Sequence, residues 1–216
     1  MAFFYYKEKF SMKGNKNYNR ICFMLIKNKY MGGFLMKNIL IINGHEKYPF
    51  TQGLLNRTLV EKMVELLKDN YNLKLTTVDE GYTIEEEIEK FKWADIIIFQ
   101  HPIFWFGLPG KFKTYIDQVY QYGIFFAGGE KYGGGGLLTS KKYMLSTTWN
   151  APESVFNDKT QFLDGKSLDE ALYNIHKIHQ FCGMTPMKTF SCHNVILAPN
   201  IEKYLSDLEK HLKENF

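Results

Sequence analysis

A run of large aromatic side chains lies between two prolines in QHPIFWFGLPGKFKTYIDQVY, residues 100–120. Prolines interrupt regular structure, so the segment from Pro102 to Pro109 is predicted to be a loop that leads from a strand into a helix. The apolar side chains of this loop are Ile103, Phe104, Trp105 and Phe106. Such a wall can stack against a flat hydrophobic ring, and the alternative is that it packs against a neighbouring protein surface.

Two other segments carry residues that suit a bound cofactor. In NGHEKYPFTQGLLN, residues 43–56, Thr51 and Gly53 come at the predicted start of a helix, where free backbone N–H groups can bind phosphate. A plain N-cap is the alternative there. In STTWNAP, residues 146–152, Asn150 and consecutive backbone groups can hydrogen-bond the edge of an isoalloxazine ring. Phosphate, ring face and ring edge together favour a flavin site.

Apolar periodicity predicts alternating strands and helices that position these loops. Continuous apolar runs such as NILII at 38–42 are typical of strands that are buried on both faces of a parallel sheet. Strands are predicted at 38–42, 73–78, 93–99, 142–148 and 187–192. Helices are predicted at 55–70, 84–91, 110–120, 168–181 and 201–213. This alternation predicts an α/β fold with an open parallel sheet and helices on both faces.

The candidate loops follow the carboxyl ends of the predicted strands, where open α/β sheets bind their ligands. The segments at these ends are 43–56, 100–108, 148–152 and 193–200. Neither GxGxxG nor GxxxxGK[ST] occurs in the first of them, which excludes the dinucleotide fingerprint and the phosphate-binding P-loop. The segments 121–140 and 150–167 do not fit the alternation, and loops of that length are commonly functional.

The distribution of charge disfavours nucleic-acid binding. Residues 1–35 contain seven Lys/Arg and one Asp/Glu, whereas residues 36–216 contain 20 basic and 22 acidic side chains. The body therefore lacks the basic stripe of a nucleic-acid-binding protein. Three cysteines without a CxxC motif are typical of a cytoplasmic protein. The apolar runs are too short for stable membrane insertion.

A metal site is not expected. His176 and His179 share one face of a predicted helix, but no carboxylate–histidine motif completes a ligand set. We therefore assign them structural or surface roles. Residues 1–35 show no lasting period and are predicted to be a disordered or non-native extension, with Met36 as the natural start. A basic arm that lies on a membrane surface is the alternative for this extension.

Four segments together resemble a known family. NILIINGHEKYPFTQGLLNRTL, WADIIIFQHPIFWFGLPGKFKTYIDQVY, KYGGGGLLTSKKYMLSTTWNAP and HKIHQFCGMTP are similar, in order, to the NADPH:quinone oxidoreductases called modulator of drug activity B. These belong to the flavodoxin-like quinone reductases. The resemblance runs from about Met36 to the C-terminus and implies one flavodoxin-like, flavin-binding reductase domain over 36–216, with an open twisted parallel sheet.

The resemblance also implies a homodimer that binds FAD noncovalently, with FMN as the less favoured flavin. The diphosphate region of FAD would contact Thr51, Gln52, Gly53, Leu54, Leu55, Asn56 and Thr58. The ring would lie after Pro102, over Ile103, Phe104, Trp105 and Phe106. Its edge would meet Thr148, Trp149, Asn150 and Ala151, and Tyr132 would make a further contact. No catalytic acid or base can be named from the sequence.

The expected activity is two-electron reduction of quinones by a ping-pong cycle, with NADPH as hydride donor and NADH as the alternative donor. A flavin-dependent azo- or nitro-reductase is the alternative within enzymes, since one reduced flavin serves many acceptors. A flavodoxin-type electron carrier that does not oxidise NADPH itself is the alternative from another class. That role calls for a strongly acidic docking surface, which the balanced body does not supply.

Overall fold

The computed structural model describes residues 30–31 and 34–216, which fall into two units, Met1–Met36 and Lys37–Phe216. In the first unit, Tyr30–Met31 and Phe34–Leu35 pair as antiparallel two-residue strands. The expectation of a disordered or non-native extension over 1–35 concerns residues that lie almost wholly outside the described part, and it stays a prediction.

The second unit alternates strands and helices, as the apolar periodicity predicts. Its strands are β1 (Asn38–Asn43), β2 (Asn72–Thr77), β3 (Ile96–Pro102), β4 (Lys142–Thr148), β5 (Thr185–Pro186) and β6 (Phe190–Cys192). Its helices are α1 (Leu54–Leu67), α2 (Ile84–Trp93), α3 (Gly110–Val119), α4 (Leu168–Ala171), α5 (Tyr173–Phe181) and α6 (Ile201–Asn215). Short 3₁₀ helices occupy Val78–Glu80 and Glu153–Val155. No helix in the described part of the chain is long and apolar enough to cross a bilayer.

The strands form one parallel sheet in the order β2-β1-β3-β4-β5, and β6 also pairs with β4. The predicted α/β fold with an open parallel sheet is therefore confirmed. The chain moves outward from β1 to β2 and then crosses back to β3, so the strand order reverses between β1 and β3. Ligands of open α/β sheets bind at such a reversal, beyond the carboxyl ends of the strands.

Helices cover both faces of the sheet, and β1 shows why its apolar run is unbroken. Ile39 and Ile41 lie in the core against α1 and α6, while Leu40 and Ile42 lie in the core against α2, α3 and α5. All four side chains are completely buried. Successive strand residues point to opposite faces, so a strand with helices on both sides needs an apolar residue at every position.

Two predicted boundaries around β3 are wrong. Trp93 ends α2 and does not begin the strand, because the Asn38 amide donates to the Trp93 carbonyl at 3.0 Å and so satisfies the helix end. Pro102 does not bend the chain after the strand but is its last residue, opposite Thr148. The missing N–H of Pro102 breaks no ladder bond, because β1 pairs with β3 only as far as Gln100.

Two predicted elements near the C-terminus are interrupted. The helix predicted over 168–181 breaks at Leu172, where φ is −92° and the side chain enters the core. The strand predicted over 187–192 begins only at its last three residues, because the Lys188 carbonyl accepts a hydrogen bond from His211 of α6 at 3.1 Å. The other boundaries agree with the predictions to within a few residues.

The helical histidines are packed into the fold. His179 is fully buried, stacks on Phe99 with ring centroids 4.0 Å apart and bonds the Tyr120 hydroxyl at 2.9 Å. His176 is buried and bonds the Tyr143 hydroxyl at 2.7 Å. Within the described residues, no three His, Cys, Asp or Glu side chains are placed to hold a metal ion. The predicted structural roles of the two histidines fit this packing.

His101 on β3 predicts an acid-sensitive fold. Its side chain is fully buried, and burial lowers its pKa from 6.5 to about 4. His101 therefore stays neutral in the folded state at pH values at which it is protonated in the unfolded state. The protein loses stability as pH falls from the unfolded-state pKa of His101 toward its folded-state pKa. The free energy of unfolding should fall by about 3 kcal/mol from this residue alone between pH 6.5 and pH 4.

Urea unfolding at several pH values would measure this loss, with His101→Leu as the matched variant. The variant loses one hydrogen bond to the Pro102 carbonyl at every pH, but its stability should depend less steeply on pH than that of the wild type. Equal slopes for the two proteins would show that His101 is not responsible.

Candidate functional site

An apolar cleft of 660 Å³, here named the ring cleft, opens at the carboxyl edge of the sheet. Its lining residues are Tyr48, Phe50, Ile103, Phe104, Trp105, Phe106, Trp149, Asn150, Ala151 and Ile196. They come from the loops that follow β1, β3, β4 and β6. The structure thus places the aromatic loop and the STTWNAP segment on one cleft beside the reversal of strand order, where the sequence predicts a bound ring.

One wall of the ring cleft is a strained turn. Phe104 and Gly107 exchange both backbone hydrogen bonds, at 3.1 and 3.0 Å, so Trp105 and Phe106 are the two central residues of the aromatic turn 104–107. Both have positive φ, 50° and 60°, a conformation for which tight hairpin turns normally use Asn-Gly. Left-handed backbone costs on the order of 1–3 kcal/mol per non-glycine residue, and such strain clusters at functional sites.

Burial within the chain does not compensate for this strain. Trp105 is 95% exposed and Phe106 is 55% exposed. Large aromatic side chains held open to solvent on a strained backbone are unusual, because each leaves a large apolar area in water. A flat apolar ligand that covered both rings would recover that burial.

Neighbouring rings hold the aromatic turn in place. Phe104 packs edge-on against Tyr48, with centroids 5.6 Å apart, and against His45 at 6.4 Å. Phe106 stacks on Phe162 at 5.7 Å. The wall of the ring cleft is therefore fixed before any ligand binds.

The β1–α1 loop leaves a helix start open. Gly53 is the N-cap of α1, has φ 75° and makes no side-chain capping bond. A Cβ atom at this position would lie 2.4 Å from Nδ1 of His45, so only glycine fits. Thr51 is not the N-cap; its hydroxyl lies 3.4 Å from Nε2 of His45. The backbone N–H groups that begin α1 thus remain available for an anion, as the phosphate hypothesis requires.

Buried polar side chains join this helix to the strands. The Ser146 hydroxyl donates to Gln100 at 2.6 Å, and the Gln100 amide donates to Asn56 at 2.8 Å. The Asn56 amide in turn donates to the Thr148 hydroxyl at 3.4 Å. All four are buried. Asn56 and Thr148, expected as cofactor contacts, therefore use their side chains to hold α1 against β3 and β4.

The STTWNAP segment lies at the ring cleft, and its side chains also make contacts within the chain. The Trp149 ring is only 3% exposed, donates from Nε1 to the Thr147 hydroxyl at 3.0 Å and packs on Phe156 at 5.5 Å. The side-chain oxygen of Asn150 accepts from the N–H groups of Ile196 and Leu197, each at 3.3 Å. Its oxygen therefore holds the loop after β6, and its NH₂ group is left to donate to a ligand edge.

Other predicted contacts are divided between the loop and the helix. The Gln52 amide donates to the Tyr48 carbonyl at 2.8 Å and closes the β1–α1 loop. Thr58 donates to the Leu54 carbonyl at 3.0 Å within α1. Leu54 is 65% exposed, whereas Leu55 packs on the core beneath α1 and α6. Of these residues, Leu54 presents an accessible apolar side chain beside the open helix start.

Tyr132 does not lie at the ring cleft of its own chain. It is fully exposed and packs against Phe181 at 5.8 Å, on a separate cleft of 790 Å³ between α3 and α5. The two clefts share no lining residue. The expected contact of Tyr132 with a ring is therefore not made within one protomer.

Sequence reasoning missed several residues of the site. Tyr48 and Phe50 line the ring cleft and stack at 5.5 Å, and their aromatic character within YPF was the available signal. Gln100 and Ser146 were detectable as polar residues inside otherwise apolar strands. Ile196 carried no signal, because nothing in its local pattern separates it from a core residue.

Comparisons with known proteins agree with this architecture. A family model described as "Flavodoxin-like fold" matches residues 37–214, and the chain belongs to this family. It is 40% identical over 190 residues to the NADPH:quinone oxidoreductase MdaB of Haemophilus influenzae, which covers 83% of this chain and 99% of that protein. It is also 38% identical over 189 residues to an uncharacterized protein of Schizosaccharomyces pombe, covering 82% and 96% of the two chains. The predicted resemblance to the modulator of drug activity B proteins is confirmed.

Solved structures share the fold at low sequence identity. A putative quinone reductase from Klebsiella pneumoniae aligns with a TM-score of 0.69 at 20% identity, covering 82% of this chain and 84% of that one. General stress protein 14 of Treponema denticola, solved in complex with FMN, aligns with a TM-score of 0.64 at 18% identity and covers 82% and 98%. These similarities support the flavodoxin-like fold.

The strained turn predicts that residues 105 and 106 favour ligand binding and lower the stability of the ligand-free protein. Replacing Trp105→Asn together with Phe106→Gly supplies the residues that this turn geometry favours, so the ligand-free protein should gain about 1–3 kcal/mol in free energy of unfolding. The same change removes the aromatic wall, so affinity for a flavin should fall at least tenfold. Chemical unfolding and a flavin fluorescence titration measure the two effects.

Asn157→Gly is the matched control, because Asn157 also has positive φ (61°) but does not line the ring cleft. This variant should bind flavin like the wild type. If the double variant were no more stable than the wild type, or bound flavin equally well, the aromatic turn would not be a strained ligand wall.

Proposed function

We propose that this protein is a flavin-dependent NADPH:quinone oxidoreductase that works by a ping-pong cycle. The observation that carries the proposal is the exposed pair Trp105 and Phe106, held with positive φ on the wall of an apolar cleft at the reversal of strand order. The 40% identity to the Haemophilus influenzae enzyme over nearly its whole length supports the same activity. The overall reaction converts quinone, NADPH and a proton into quinol and NADP⁺.

The residues of the ring cleft fit a flavin. The aromatic turn and Ile103 offer a flat apolar surface, and the NH₂ group of Asn150 can donate to a ring edge. A flavin bound there supplies the two-electron chemistry that takes hydride from NADPH and delivers it to a quinone. With a flavin on the aromatic wall, the open side of the ring cleft would be left for both substrates, so they would bind in turn and not together.

No described residue serves as an evident acid or base in the ring cleft. Tyr48 is the one titratable side chain among its described lining residues, and a hydrogen bond with Glu46 raises the pKa of its phenol. Tyr48 therefore stays protonated at neutral pH. Protons would reach the product from solvent, and the contribution of the protein is to orient the reacting molecules.

FAD is the proposed flavin. The open N-terminus of α1 at Gly53 suits the diphosphate, because a helix start with uncapped N–H groups attracts anions. A further cleft of 260 Å³ adjoins that position and is lined by His45, Lys47, Arg57 and other residues. This cleft offers room for the adenosine half, which FMN lacks. It carries no net positive charge, because its charged residues are Lys47, Arg57, Glu61, Asp79 and Glu80.

A homodimer would bring Tyr132 to a ring. Because Tyr132 lies on a separate cleft from the ring cleft of its own chain, a contact with flavin requires the ring cleft of a second copy. Exposed Tyr122 and Tyr132 form an apolar aromatic surface that a second copy would cover. We therefore propose that two chains associate through this side of the molecule.

We also propose a cytoplasmic location. Cys182 and Cys192 are buried free thiols, and burial raises the pKa of each to about 12. Unpaired cysteines of this kind are typical of proteins from reducing compartments.

Absorption spectroscopy tests the reductase. Protein purified with equal FAD and FMN should carry FAD, identified by chromatography of the released flavin, and show a visible flavin band. Anaerobic NADPH should bleach that band, and menadione should restore it. A flavin that NADPH cannot bleach would indicate an electron carrier, and a bleached flavin that returns with azo dyes but not with quinones would indicate an azoreductase.

Analytical ultracentrifugation tests the dimer and the role of Tyr132. The wild type should sediment as a dimer, and Tyr132→Ser should remain dimeric while flavin affinity falls several-fold. Ile201→Ser changes an exposed apolar side chain that lines neither cleft and serves as control. A monomeric wild type with full flavin affinity would refute the proposed arrangement.

A further inference from the structure

A second apolar groove of 650 Å³, here named the side groove, adjoins the ring cleft. Its lining residues are Phe106, Phe162, Leu163, Lys166, Glu170, Ala171, Tyr173 and Asn174. Phe106 lines both the ring cleft and the side groove, so the two adjoin at this side chain. A molecule whose ring lies in the ring cleft can therefore extend a substituent into the side groove.

The boundary between the two is a pair of stacked phenyl rings. Phe106 and Phe162 lie with centroids 5.7 Å apart and planes inclined by 26°. Phe162 lies in a turn, outside any helix or strand, and is 79% exposed. An exposed phenylalanine in this position adds apolar surface next to the ring cleft without adding to the core.

Local structure fixes Phe162 where it is. The Asn157 N–H donates to the Lys166 carbonyl at 2.9 Å, and the Lys166 N–H donates to the Leu163 carbonyl at 2.9 Å. Leu163, the next residue after Phe162, packs on the core. The segment 150–167, which did not fit the predicted alternation of elements, thus holds a phenyl ring beside the ring cleft.

The charges of the side groove favour a neutral occupant. Its two charged residues, Lys166 and Glu170, have opposite signs. The Glu170 carboxylate accepts from the backbone N–H and the hydroxyl of Ser167, both at 2.8 Å, in the cap of α4. The groove therefore offers no net positive charge to a phosphate, and its exposed lining is mainly aromatic and aliphatic.

We propose that the side groove binds the aliphatic side chain of a quinone whose ring lies in the ring cleft, with Phe162 as a residue that determines specificity. The preferred acceptors are thus quinones that carry an isoprenoid or similar hydrocarbon chain. This inference rests on the proposed quinone reductase activity and adds a substrate class to it. Apolar burial of the chain next to Phe106 and Phe162 supplies the preference.

A matched pair of acceptors tests the proposal. One is 2,3-dimethyl-1,4-naphthoquinone, and the other carries a geranyl chain in place of one methyl group, so both rings bear two alkyl substituents. In the flavin-loaded protein, kcat/KM should be at least about tenfold higher for the geranyl compound, mainly through KM, given the apolar area that the chain buries. Binding of each quinone without NADPH, followed by flavin fluorescence, should show the same ratio in Kd.

Phe162→Ser should reduce the ratio to less than about threefold. Because both quinones are measured on the same variant, the ratio does not depend on a change in flavin content or in reduction of the dimethyl compound. Ile201→Ser changes an exposed apolar residue outside both the side groove and the ring cleft and should leave the ratio as in the wild type.

Equal kcat/KM for the two quinones, or a preference that survives Phe162→Ser, would overturn the side-groove assignment. The proposed reductase activity would still stand if the wild type reduced the dimethyl compound. A change in sedimentation of Phe162→Ser with no change in the ratio would assign the groove to a second copy of the chain instead. Failure of the wild type to reduce either quinone would overturn both proposals.

Discussion

The carboxyl edge of the sheet is held together by a buried chain of hydrogen bonds through Ser146, Gln100, Asn56 and Thr148. Neighbouring parallel strands fix each other through backbone bonds, but nothing in the sheet itself fixes the first turn of α1 against β3 and β4. The Asn56 side chain does this by bonding to residues of both strands. A buried polar group that loses its partner costs about 1–3 kcal/mol. Any other placement of α1 against β3 and β4 would break these hydrogen bonds and is therefore disfavoured. The ring cleft and the open start of α1 keep their relative positions for this reason.

A strained surface feature depends on that rigid base. The aromatic turn holds Trp105 and Phe106 with positive φ, and it joins β3 at Ile103, whose N–H donates to the Thr148 carbonyl at 3.0 Å. Strain persists only where the surroundings leave the backbone no alternative. Here the strands fix one end of the turn. The ring of Tyr48 packs against Phe104 and the ring of Phe162 packs against Phe106. The apolar rings are thereby preorganised for a ligand.

Much of the fold could be predicted because its signals are local. The unbroken run of β1 is a direct consequence of burial on both faces, and the proline–aromatic segment predicted the loop that lines the apolar cleft. The link between Gln100 and Asn56 could not be predicted, since it depends on how α1 packs over a strand 44 residues away along the chain. The buried ring of Trp149 shows the same limit, because the local sequence does not decide whether this indole points to the core or to the solvent. The position of Tyr132 could not be predicted either, because only the folded chain places it on a cleft separate from the ring cleft.

The contact between Gly53 and His45 constrains how this sequence can change over evolutionary time. Any Cβ at position 53 would run into the imidazole ring, so the two positions form one unit in which a smaller residue at 45 has to come first. Even then φ 75° restricts position 53 to glycine and the few residues that tolerate left-handed backbone. A substitution at His45 is thus a permissive mutation for position 53. The order in which mutations arise therefore limits which residues can come to occupy the start of α1.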